Sequence, residues 1–251
     1  MFFELFYWDV TARFRRFPLL LGGLVIVGYL VAQSLSQYSA PGSTPLTATV
    51  LALGRVRSFA FVLILIEVVG FRAIYSDGSI HILMRSGSRH RYWLSRLLGT
   101  FTVSGLFAML LILVDFSINV LVGRLSPSVA NVTLHNALIV QYGSLSIMFL
   151  LLSVGIASIL LLIDVLQALL SNTFLAYVLV AALQIISLSS HALLTGTLAR
   201  LTFLLSPFLR LSLIENYSYH EQPVYSIGYL LLFLVVESLL GWRTICRRSI
   251  D

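Results

Sequence analysis

The sequence predicts an all-α polytopic membrane protein, and three observations carry that reading. Only 10% of the 251 residues are charged and the mean hydropathy is +0.97, too little polar surface for a soluble domain of this size. Six apolar runs lie at 17–36, 57–75, 94–122, 136–163, 166–190 and 223–242, each near the roughly 20 residues that cross a hydrocarbon core about 30 Å thick. The runs also exceed the roughly 10 residues of a membrane-barrel strand and lack its alternation. Residues 1–251 therefore form a single transmembrane domain, without internal repeat, low-complexity tract or soluble module.

The leader MFFELFYWDVTARFRR, residues 1–16, puts Phe3, Phe6, Tyr7, Val10 and Phe14 on one helical face and Glu4, Thr11 and Arg15 on another. That pattern predicts an interfacial helix. A signal peptide cut after Ala40 fits less well, because the leading segment is long and aromatic rather than short and basic.

The second run carries Glu67 at its middle. A charge there would cost on the order of 3 kcal/mol against lipid, so Glu67 is expected to face protein or water. It is either a protonated or hydrogen-bonded group between helices or a carboxylate of a pathway or gate. Arg72, five residues on, lies off its helical face.

Between the second and third runs comes YSDGSIHILMRSGSRHRYW, residues 75–93, the longest strongly polar stretch in the chain. Ser76, Asp77 or Ser79 can cap a short helix there. Ile80, Leu83 and Met84 give that helix an apolar face, and Gly87 can end it. A connection of two to eight residues would suffice to reverse direction, so an ordered helix over 76–87 implies something that docks on it. Ser88 can cap the third span, and Arg89 and Arg91 suit anionic headgroups, at about 1 kcal/mol each.

Asp115 falls in the outer half of the third run, where pairing with an outer-loop arginine would be structural and a pathway or gating role is the alternative. The fourth and fifth runs have no charge, and Asp164 is expected in the short turn between them. The segment RLTFLLSPFLRLSLIENYSYHEQPVY is too apolar at Leu201–Leu213 for an open loop and, with Pro207 and two arginines, too short to span. Residues 196–215 are thus expected to form an outer re-entrant hairpin or a flat interfacial helix. Glu237 in the sixth run, possible pathway or gating residue, stands six residues before Arg243, about 9 Å along a helix, and can reach toward the interface. Tyr217, Tyr219, Tyr225 and Tyr229 fit an interfacial aromatic belt.

With six spans both termini share one side. Placing them in the cytoplasm leaves eleven of the sixteen arginines inside, as the positive-inside bias requires.

Composition also excludes functions. Every basic residue is arginine, so no phosphate-binding loop of the GxxxxGK[ST] type exists in this chain. Cys246 is the single cysteine and allows neither an internal disulfide nor a cysteine metal cluster. His81, His90, His135, His191 and His220 show no HExxH or other metal-ligand spacing, so no metal site is expected. YGSLS at 142–146 lacks the G-x-S-x-G pattern, and no catalytic residue is expected. The arginines edge the spans instead of forming a patch, so no nucleic-acid partner is expected.

The insert resembles the permease subunits of type 2 ATP-binding cassette exporters. There the second span is followed by an acidic residue, a Gly-Thr pair, an I-x-L-L run and a Ser-Arg pair. The matching residues are Asp77, Gly78, Ser79, Ile80, Ile82, Leu83, Ser88 and Arg89. Ser79 stands for the usual threonine, and Gly87 where proline is frequent. LLSPFLRLS before the last span is similar to the family's leucine-rich Ser-Pro-Phe segment. The resemblance implies that residues 76–87 are a coupling helix in a groove of a separate ATPase subunit. Asp77, Ser79, His81 and Arg85 would make its polar contacts, Ile80, Leu83 and Met84 its packing face, and Gly78 would belong to the same coupling segment.

It further implies two ATPase subunits, which bind the ATP and Mg, and a second permease half in a homo- or heterodimer. With membrane lipid as surroundings, the assembly would export an amphipathic peptide, lipid-like molecule or drug across a bacterial plasma membrane. The rival readings are a secondary transporter driven by an ion gradient, with Glu67 and Asp115 as coupling carboxylates, a membrane enzyme, and a non-transporting scaffold or self-protection protein.

Overall fold

The computed structural model of the chain describes residues 26–33, 45–54, 89–125, 134–170, 172–213, 216 and 222–247. The expected interfacial helix 1–16, the second span with Glu67 and the insert 76–87 lie outside the described residues. Those described are helical or short connections, with no strand among them. In chain order the helices are α1 (26–33), α2 (Pro45–Leu53), α3 (Arg89–Leu125), α4 (Leu134–Leu170), α5 (Thr173–Leu193), α6 (Gly196–Leu205), α7 (Pro207–Arg210) and α8 (Pro223–Arg247).

Among the described residues, three helical stretches are long and apolar enough to cross a membrane: Arg89–Val122, Leu145–Leu170 and Pro223–Ile245. They mark the chain as a membrane protein. α4 is the centre of the bundle, with 67% of its most apolar window buried against 33% for α3 and 28% for α8. It is apolar nearly all round and packed nearly all round, as a central helix should be. α3, α5 and α8 pack around it, and α1 and α2 close one side.

The outer helices are patterned inside out relative to a soluble bundle. α3 buries Thr100, Ser104, Ala108, Leu111, Asp115 and Asn119 at intervals of three and four and exposes Leu106, Met109, Leu110 and Leu113. α8 buries Ser226, Leu230, Leu234 and Glu237 and exposes Leu232, Val235, Val236 and Leu239. Where hydrocarbon is the solvent, polar side chains turn inward to find partners and leucines turn out.

Helix ends follow local chemistry. Pro45, Pro207 and Pro223 each open a helix, where the missing N–H has no cost. Gly196 has φ +62, a left-handed conformation that turns the chain sharply from α5 into α6.

The boundary between the fourth and fifth runs differs from expectation. α4 passes straight through Asp164 to Leu170, and α5 begins at Thr173. Asn172 sets that start by accepting the Leu175 backbone N–H through Oδ1 at 3.1 Å, an N-cap for α5. Asp164 can stay inside the helix because its charge is met by an arginine of α3.

Candidate functional site

At one end of the bundle, three helices are tied together by the first two turns of α3. Arg96 donates from Nε to Asp164 Oδ2 at 2.9 Å and from Nη2 to Oδ1 at 2.6 Å. The two side chains are 12% and 4% exposed, so this two-pronged ion pair joins a buried carboxylate to a part-buried guanidinium and is not a surface contact. One turn earlier on α3, Trp93 donates its indole N–H to the Ser238 carbonyl of α8 at 3.1 Å. Its ring lies directly on Gly241, the only side-chain size that admits it there. His90 meets Trp242 edge-on, with ring centroids 5.9 Å apart.

α4 and α8 are joined in turn by Ser158 Oγ, which donates to Glu237 Oε2 at 3.2 Å. Glu237 is buried and points across at α4, so it does not reach along its own helix toward the interface as its spacing from Arg243 suggests. These pairings fix the directions: α4 and α8 run parallel, and α3 runs antiparallel to both.

Among the described residues Asp115 meets neutral partners: Asn119 Nδ2 donates to Asp115 Oδ2 at 3.0 Å and to Thr49 Oγ1 of α2 at 3.1 Å. The outer-loop arginines Arg55 and Arg57, with which pairing was expected, lie outside the described residues. The arrangement holds α2 against α3 through a fully buried polar contact.

The Ser-Pro-Phe segment forms a second polar centre. Ser206 breaks the helix, caps α7 by accepting the Leu209 N–H at 3.3 Å, and leaves Phe208, Leu209, Arg210, Leu211, Ser212 and Leu213 all buried. Arg210 donates from Nε to the Leu204 carbonyl at 3.0 Å and from Nη1 to Ser226 Oγ at 3.4 Å. Its guanidinium lies 4.4 Å from the Tyr229 ring centroid and 5.6 Å from that of Phe203. Ser226 Oγ donates to Asn216 Oδ1, while Asn216 Nδ2 donates to the carbonyls of Ser212 and Arg210. Ser212 Oγ donates to the Gly54 carbonyl at 2.7 Å, and Leu211 packs onto Gly155 of α4.

This centre yields a direct expectation. Arg210→Ala removes two hydrogen bonds and two cation–aromatic contacts from a buried site, a destabilisation of about 2–3 kcal/mol. Arg210→Lys recovers little of it, because an ammonium lacks the planar fork. Detergent-solubilised protein should show a lower melting midpoint in both variants, and an unchanged midpoint in Arg210→Ala would contradict the contacts.

Of the sequence-predicted site residues, Asp115 and Glu237 are buried on separate helices with different partners, and the structure does not bring them together. Glu67 and the set Asp77, Gly78, Ser79, Ile80, His81, Leu83, Met84 and Arg85 lie outside the described residues. Sequence reasoning missed Trp93 and the pairing of Arg96 with Asp164. Their only sequence signal is a charge at the head of one apolar run and another at the tail of a second, 68 residues apart. Among the described residues no three His, Cys, Asp or Glu side chains converge as metal ligands would. Comparison of the chain with protein-family models, curated proteins and solved structures finds no match.

Proposed function

We propose that the chain is the permease half of an ATP-binding cassette exporter, moving an amphipathic cargo with energy from a separate ATPase subunit that binds ATP and Mg. One observation carries this reading: the helix that begins where the polar insert ends is locked, within its first two turns, to two other spanning helices. A displacement of residues 76–87 would pull on Arg89 and hence on α3. The Arg96–Asp164 pair and the Trp93 anchor would carry that pull into α4 and α8. A ligand or partner shifts a two-state assembly only through contacts that differ between the states, and a mechanically stiff joint beside the docking helix supplies the link.

The remaining features fit the same reading. Gly241 to Ser226 is fifteen residues, about 22 Å along α8, less than the roughly 30 Å hydrocarbon thickness. With the clamped end at the cytoplasmic surface, the Ser206–Leu213 segment is a re-entrant element entering from outside, its broken backbone covered by protein. Both termini then lie in the cytoplasm, and a second permease half completes the route.

The test is purification of the tagged chain from its native membrane in a mild detergent. The reading expects a stoichiometric ATPase polypeptide and vanadate-sensitive ATP hydrolysis in the eluate. Transport activity that follows an ion gradient in ATPase-free vesicles would favour the secondary-transporter alternative.

A further inference from the structure

We propose that the exposed face where the start of α3 meets the end of α8 is a binding site for an anionic phospholipid. The two helices pack against each other and meet at this end through His90 and Trp242. Their neighbours in the chain, Arg91 and Arg243, are both exposed.

Below this cationic and aromatic rim the same faces become apolar without interruption. Leu94 and Leu98 follow His90 at four-residue intervals on α3, and Leu239 precedes Arg243 by four on α8; all three are 42–55% exposed. Positive charge at the interface continuing directly into exposed leucine is complementary to a headgroup phosphate with its acyl chains below. The indole of Trp242, 45% exposed, has the amphipathic form that settles at headgroup level. A soluble phosphate would use the rim and gain nothing from the leucines; a lipid uses both. The inference does not depend on the transport reading.

Native mass spectrometry of the detergent-solubilised chain, equilibrated with equal amounts of dioleoyl phosphatidylglycerol and dioleoyl phosphatidylcholine, tests it. Wild type should retain phosphatidylglycerol preferentially. Arg91→Gln with Arg243→Gln should reduce that preference on the order of 10-fold, and Arg200→Gln, exposed on α6, should leave it unchanged. If the double variant folds poorly, raising the ammonium acetate concentration with wild type should weaken the preference through screening. Equal retention of the two lipids by wild type would overturn the proposal. So would a preference that survives both changes, or a dimer that depends on Arg91 and Arg243 without lipid preference.

Discussion

Asp164→Asn is expected to destabilise the bundle by about 3 kcal/mol, the low end for a buried pair, because it leaves the part-buried Arg96 guanidinium opposite a neutral amide. Arg96→Gln should do the same from the other side. Both effects should appear as a large fall in the denaturation midpoint of the detergent-solubilised chain. Exposure decides the size: the side chains are 12% and 4% exposed, so the value for an open surface pair, about 0–1 kcal/mol, does not apply. The exchange Arg96→Asp with Asp164→Arg should recover part of the loss.

Replacing both residues by apolar ones of similar volume, Arg96→Met with Asp164→Leu, should be close to neutral for stability, since the desolvation of both charges disappears with their attraction. That double variant separates the two roles of the pair. A folded protein in which the proposed ATPase partner no longer responds to cargo would assign the pair to coupling, and full response would assign it to assembly alone.

The second large effect is expected at Gly241. A Cβ there overlaps the Cη2 and Cζ2 edge of Trp93 and comes 3.1 Å from Val165 Cγ2. Trp93 cannot turn aside without losing its hydrogen bond to the Ser238 carbonyl at 3.1 Å and leaving a site where it is 3% exposed. Gly241→Ala should therefore cost about 1–3 kcal/mol as overpacking, and Gly241→Leu more. Gly228, on the same helix, is the control: a Cβ there meets nothing within 4 Å, and alanine should be neutral or mildly stabilising through helix propensity. Equal melting midpoints for Gly241→Ala and Gly228→Ala would contradict the Trp93 packing.

The contrast between these sites shows how far the chain could be read without its fold. α3 and α8 were legible because a run of about twenty or more mostly apolar residues admits one solution in lipid. That same hydrophobicity hid the packing. In a helix that is leucine-rich on every face, no periodicity says which side meets protein, and on α3 the marker is instead the stripe from Thr100 through Asn119.

Asp164 was misread because a lone acid between two apolar runs has the appearance of a turn, whereas the turn signal was Asn172. The ion partner that lets Asp164 remain helical is 68 residues away in sequence, and local pattern carries no trace of it. Glu237 was judged by its spacing from Arg243 along one helix, but its hydrogen-bond donor, Ser158, is 79 residues distant. The broken segment was legible from Pro207 and its apolar flanks; that Arg210 would be covered by Tyr229 and Phe203 was not.

The central claim is that residues 77–85 transmit work from an ATPase subunit into α3, and one measurement addresses it most directly. Residues Asp77–Arg85 are replaced by a Gly/Ser linker of equal length, and cargo-stimulated ATP hydrolysis is measured on the reconstituted assembly. The account predicts normal membrane insertion with stimulation lost; stimulation equal to wild type would contradict it.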